Sequence, residues 1–113
     1  MSVNSILKTC LETNTYPVEF MDYDGAATTY FTFNFVDERG ELFCDDVPEM
    51  VKYSIQIHFF SPKTFNHNAL KTKVRNDLFA LGFSYPSVVT LYEDDSKLNH
   101  LVFECEYAEA KEE

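Results

Sequence analysis

Apolar residues recur along this chain with two different periods. Val3, Ile6, Leu7, Cys10 and Leu11 carry the spacing of one helical face. Ser2 stands where an N-cap belongs. Asn14-Thr15-Tyr16-Pro17 closes this helix, because a proline disfavours helical backbone at the residue before it. Val18 to Tyr23 predicts a short strand that ends at the turn dipeptide Asp24-Gly25. From Tyr30 to Val36 the period is two: Phe31, Phe33 and Phe35 fall on one face, Tyr30, Thr32 and Asn34 on the other.

The alternation then stops. Asp37 to Met50 is polar, acidic and long for a connection within a compact domain. It predicts a projecting loop or arm over about 37–50, with Arg39-Gly40 as a turn and Glu41-Leu42-Phe43-Cys44 as a short pairing segment. Alternation resumes from Val51 to Phe60, with Val51, Tyr53, Ile55, Ile57 and Phe59 on one face and Lys52, Ser54, Gln56 and His58 on the other. Ser61-Pro62 ends that strand. A second helix is expected from about Asn66 to Leu81, striped by Leu70, Val74, Leu78 and Leu81. Gly82 sits at its C′ position, and Phe83 is placed for the apolar contact that accompanies such a cap.

Val88 to Tyr92 and Leu98 to Tyr107 predict a terminal hairpin around Glu93-Asp94-Asp95-Ser96, with Leu101, Phe103, Cys105 and Tyr107 on one face. The acidic tail, 108–113, is expected to fray. Helix, strands, helix and two more strands make an α+β domain: a mainly antiparallel sheet of about four to five strands, with both helices packed on one face. The 113 residues form a single domain, with no internal repeat and no linker.

Composition narrows the function. Eleven Phe and seven Tyr supply contact area for a core or an interface. A net charge of −10 argues against gripping a nucleic-acid backbone, yet it suits the lining of a channel through which DNA slides without sticking. No signal peptide is visible, and no stretch reaches the roughly 20 apolar residues that span a bilayer. Cys10, Cys44 and Cys105 are odd in number and far apart, which predicts free buried thiols in a reducing compartment.

Candidate chemistry is sparse. His58, His67 and His100 each lack a second His or Cys at ligand spacing, so they read as surface or half-buried residues rather than metal ligands. Asp45-Asp46 and Glu93-Asp94-Asp95 are neighbours in turns, where carboxylates diverge and stay solvated. No nucleophile motif and no phosphate loop is present. Catalytic residues, metal ligands and cofactors are therefore expected to be absent. One charge asymmetry remains. Lys63, Lys71, Lys73 and Arg75 cluster in and before the second helix of an otherwise acidic chain. A positive face on one subunit could meet the acidic arm of the next, a heterologous contact of the kind that closes rings.

The segments also carry a family resemblance. Val51-Lys52-Tyr53-Ser54-Ile55-Gln56-Ile57-His58-Phe59-Phe60-Ser61 is similar to the "Y-x-V-Q-x-D-x-W-S" strand of tail completion proteins, the tail terminators of long-tailed bacteriophages. Phe43-Cys44-Asp45-Asp46 precedes it as an acidic segment does there, Leu81-Gly82-Phe83 matches the end of their helix, and Leu91 to Lys97 their "L-Y-E-D-D-S-K" turn. Phe60 stands where the family has tryptophan, and His58 where it has an acidic residue.

The resemblance implies a structural virion protein without cofactor or catalysis. It would form a homo-oligomeric ring, typically hexameric, on the last ring of the tail tube. There it would end polymerisation of the major tail tube protein and present the joint to the head-side connector. Such a protein resides at the head-proximal end of the virion tail, and in the host cytoplasm during assembly. The subunit contacts are expected at Glu41, Phe43, Asp45 and Asp46 on the arm, and at Lys71, Lys73 and Arg75 on the helix. Two other readings stand beside it. One is a head-completion connector or stopper protein. The other is a host small-molecule-binding regulatory domain, which a deep apolar pocket with converging polar groups would mark.

Overall fold

The computed structural model describes residues 2–44 and 47–110, with the side chains of 42–49 left aside. Its elements run α1 (Val3–Glu12), β1 (Val18–Phe20), β2 (Tyr30–Cys44), β3 (Val47–Pro62), α2 (Asn68–Ala80), β4 (Ser87–Glu93) and β5 (Leu98–Ala110). They form an α+β fold with a five-stranded sheet in the order β1-β2-β3-β5-β4. β1 lies parallel to β2, and every other neighbouring pair is antiparallel.

Both helices end as their sequences dictate. The Ser5 N–H donates to Ser2 Oγ at 3.2 Å, capping α1. Gly82 adopts φ +98°, a left-handed conformation that a Cβ would strain. The Gly82 N–H then donates to the Phe79 carbonyl and the Phe83 N–H to the Leu78 carbonyl, both at 3.1 Å. This is the Schellman pattern, and the buried Phe83 and Leu78 supply its apolar contact.

One face of the sheet meets both helices. Val3, Leu7, Cys10 and Leu11 of α1 and Leu70, Val74 and Leu78 of α2 bury against Phe31, Phe33, Ile55, Ile57, Phe59, Leu101, Phe103 and Cys105. The alternation read from the sequence thus places its apolar set on the helix side. Burial pushes the Cys105 thiol up to about 12, aided by the charge of Glu106 and by Cys10, and it raises Cys10 as well. Ser61 is fully buried, and its hydroxyl has no partner among the described residues. Ser61→Ala should therefore be neutral or stabilise the fold by up to about 1 kcal/mol, because the hydroxyl's desolvation is uncompensated. Urea denaturation of both proteins reads this directly.

The sheet departs from the sequence reading at one end. Residues 37–44 and 47–50 are ladder-forming strand, where a loop or arm turning at Arg39-Gly40 was expected; Arg39 and Gly40 instead pair with Lys52 and Val51 of β3. A bulge between Phe35 and Asp37 adds Val36, so that Asp37 lies opposite Ser54 on the helix-free face. Ala108–Ala110, expected to fray, pairs with Met50–Lys52. Residues 111–113 lie outside the described residues. β2, β3 and β5 thereby run on together as a three-stranded extension, and the molecule measures 53 × 25 × 23 Å. No described side chain in 36–41, 50–54 or 106–110 is fully buried.

Candidate functional site

The arm is built as a ladder with its own charge network. Asp37, Arg39 and Glu41 alternate onto one face of β2, two residues apart. Arg39 reaches Asp37 at 3.5 Å and Glu41 at 3.3 Å, and Lys52 reaches Glu106 at 3.4 Å across strands. At the base, the Tyr53 hydroxyl donates to Glu109 Oε1 at 2.7 Å, tying β3 to β5. That bond, with burial and the charges of Glu109 and Glu38, pushes the phenol up to about 12. Glu41 is therefore placed on the arm and engaged by Arg39. Phe43 lies in β2 opposite Pro48, Asp45 and Asp46 lie outside the described residues, and the side chain of Phe43 is likewise left aside.

The basic residues of α2 do not form one patch. Lys73 donates to Asp77 Oδ2 at 2.7 Å and to Thr13 Oγ1 of α1 at 2.8 Å. Arg75 turns the other way: its Nε donates to the Pro86 carbonyl at 3.1 Å, and its guanidinium lies 4.8 Å from the Tyr85 ring centroid. Residues two apart on a helix face nearly opposite directions. Lys71 shares the Arg75 side, four residues earlier, so only this pair belongs to one surface. Lys73 instead crosses a groove of about 620 Å³ between the helices, lined by Ile6, Thr9, Cys10, Thr13, Asp77, Ala80 and Leu81.

The helix-free face holds what the sequence reading missed. Four rings stack in a row across three strands and the loop beside them: Tyr23 on Tyr30 at 4.3 Å, Tyr30 on Phe60 at 4.8 Å, and Phe60 on His100 at 4.3 Å. Beside the row, His58 Nδ1 and His100 Nε2 approach to 2.7 Å. His58 Nε2 lies 3.1 Å from Asn34 Oδ1, and His100 Nδ1 lies 3.3 Å from Glu93 Oε2. Four strands thus contribute one continuous chain: Asn34, His58, His100, Glu93. The two histidines are 42 positions apart in sequence. They meet diagonally, because β3 and β5 pair Phe60 with His100 and His58 with Val102.

Donor and acceptor accounting gives this chain two complete states. If the Asn34 amide turns to present its nitrogen, both imidazoles can be neutral: that nitrogen donates to His58 Nε2, His58 Nδ1–H donates to His100, and His100 Nδ1–H donates to the Glu93 carboxylate. With the Asn34 oxygen facing His58, as in the structure, His58 carries its proton on Nε2. His100 then donates from both nitrogens and is an imidazolium paired with Glu93. The half-turn of one amide therefore accommodates one proton, and a second would set N–H against N–H. Burial lowers both histidines, with mutual repulsion adding for His58 and the Glu93 charge opposing the shift.

Among the described residues no group of three metal-ligating side chains converges, and no helix is long and apolar enough to cross a membrane. The histidine chain lies on the helix-free face of the sheet, and what its geometry offers is the holding of a proton. No family model and no curated protein matches the sequence. The fold itself recurs. A solved structure that carries no functional description superposes with a TM-score of 0.57 at 10% identity, over 100% of this chain and 99% of that one. At that identity the likeness speaks for the α+β fold alone.

Proposed function

We propose that this chain is a tail-terminator subunit, assembling as a ring, hexameric as in the family it resembles, on the head-proximal end of a phage tail tube. The ring stops addition of tube subunits and offers its far side to the head-side connector. DNA passes through its acidic lumen without specific binding. The observation that carries this reading is the three-stranded extension beyond the helical layer, whose open backbone edges suit contact with neighbouring subunits or with the tube. The order of sequence segments supports it, and so does the net charge of −10.

The test is tube assembly in vitro from the major tail protein of the same phage, followed by electron microscopy. The intact chain should bind tube ends and halt growth. A variant with residues 40–51 replaced by Asn-Gly keeps the Arg39–Lys52 pairing and closes the shortened hairpin with a compatible turn. It should fold, yet fail to cap. Tubes that grow unchecked with the intact chain would sink the reading. Binding to a portal assembly without any effect on tube length would favour a head-side stopper instead.

A further inference from the structure

We propose that β4 of one copy pairs, antiparallel, with the outer edge of the β2 arm of the next copy, so that the sheet continues from subunit to subunit. This assignment deepens the ring reading above and rests on it for closure.

The sheet has two bare edges, one on each side. β4 is the outermost strand, and nothing among the described residues pairs with its outer side. On the far side, β1 pairs with β2 at Phe31–Phe33, which leaves Asn34–Cys44 without an outer strand among the described residues. Natural edge strands are guarded by lysines, prolines or a covering element. β4 has none of these guards along Ser87–Tyr92, and it exposes Val89 and Leu91 at 49% each. The arm edge begins with Val36, 59% exposed, on the bulge. The seven residues of β4 span about as far as 34–40 of β2.

Direction follows from topology and charge. β2 and β5 run the same way, and β4 runs opposite to both. Antiparallel pairing of β4 with the next β2 therefore leaves each copy facing the same way, with helices on one side and aromatic faces on the other. Parallel pairing would invert alternate copies, which simple rotation cannot close into a ring. Charge selects the same direction. With Val36 against the apolar middle of β4, the 37–41 segment runs toward the start of β4 and carries Glu38 on the helix side, Asp37 and Glu41 lying on the other face. There Arg75 rests on Pro86 and Tyr85, with Lys71 one turn away. Run the other way, it would meet Glu93, Asp94 and Asp95.

Oxidative cross-linking reads the contact. Val36→Cys and Leu91→Cys are introduced together in a Cys44→Ser background, where the remaining native thiols, Cys10 and Cys105, are buried. Within one chain the two positions lie three strand spacings apart, about 14 Å, too far for a disulfide. Oxidation is done with the chain alone at high concentration and with the chain on tube ends. The expected result is a reducible ladder of linked subunits in at least one setting, and no ladder from either single variant. Val89→Lys with Leu91→Lys should weaken self-association about tenfold or more while leaving the melting temperature near wild type, since both side chains face solvent. Unlinked subunits in both settings, or wild-type assembly by the lysine variant, would overturn the edge pairing. Capped tubes without a ladder would leave the terminator reading standing, whereas a ladder without tube capping would retain the edge contact and remove that reading.

Discussion

Phe59→Ala is expected to cost about 3–5 kcal/mol, a large part of the roughly 5–15 kcal/mol that holds a domain of this size together. Phe59 is fully buried on β3, the central strand of the sheet. Its ring meets Phe31 at 4.7 Å, Phe65 at 5.6 Å and Tyr16 at 5.8 Å. Truncation removes apolar area and leaves a cavity between the sheet and the loops at Tyr16 and Phe65, which the neighbouring strands hold open. The adjacent Phe60→Ala provides the contrast. Phe60 is half-buried on the helix-free face, stacked between Tyr30 and His100, and its loss should cost about 1–2 kcal/mol. Thermal melts of the two variants should differ by at least roughly 4 °C. Equal losses would mean that the helix-free face is as tightly packed as the core.

That contrast was legible in the sequence, because strict alternation assigns Phe59 and Phe60 to opposite faces whatever the register. The second helix and its Gly82-Phe83 ending were legible for a similar reason: each rests on local spacing. The arm was not. Over 37–41 and at Met50 no side chain is buried, so no core-facing alternation marks the strand there, and its pairing is set by the hairpin neighbour and by β5. The bulge at Val36 hides it further by shifting the face of every residue after it. The histidine chain was unreadable because the register of β3 on β5 joins positions 42 apart. The sequence carried only a weak hint, that His58 and His100 both fall on the polar side of their strands. The lysine and arginine cluster failed in the opposite sense. Lys73 and Arg75 are close in sequence, but a helix sends residues two apart in different directions, one to Asp77 and Thr13, the other to Pro86.

Acid should destabilise the protein from about pH 6.5 downward, and the histidine pair should account for most of the effect. His58 and His100 are both held below their ordinary value of 6.5, first of all by burial. Their unfolded forms therefore take up protons first as the pH falls. The unfolded state binds more protons across that window, so stability is complete above about pH 6.5 and is lost on descent, until the folded protein titrates too. Each histidine contributes a slope of at most about 1.4 kcal/mol per pH unit. The folded pair takes its first proton by turning the Asn34 amide and pairing His100 with Glu93. The second meets opposed N–H groups, so the folded state lags the unfolded one furthest there. His67, lowered by burial and by Lys71, adds to the loss in the same direction. His58→Gln keeps a polar side chain between Asn34 and His100 but takes no proton. Urea denaturation from about pH 7 to about pH 5 should show a slope smaller by about one proton in this variant. Identical slopes would remove the pair as the source. Nitrogen NMR shifts should also find the His58 proton move from Nδ1 at neutral pH to Nε2 once the first proton is bound, the state in which Asn34 Oδ1 faces His58, and a His58 that keeps one tautomer throughout would break the relay as drawn.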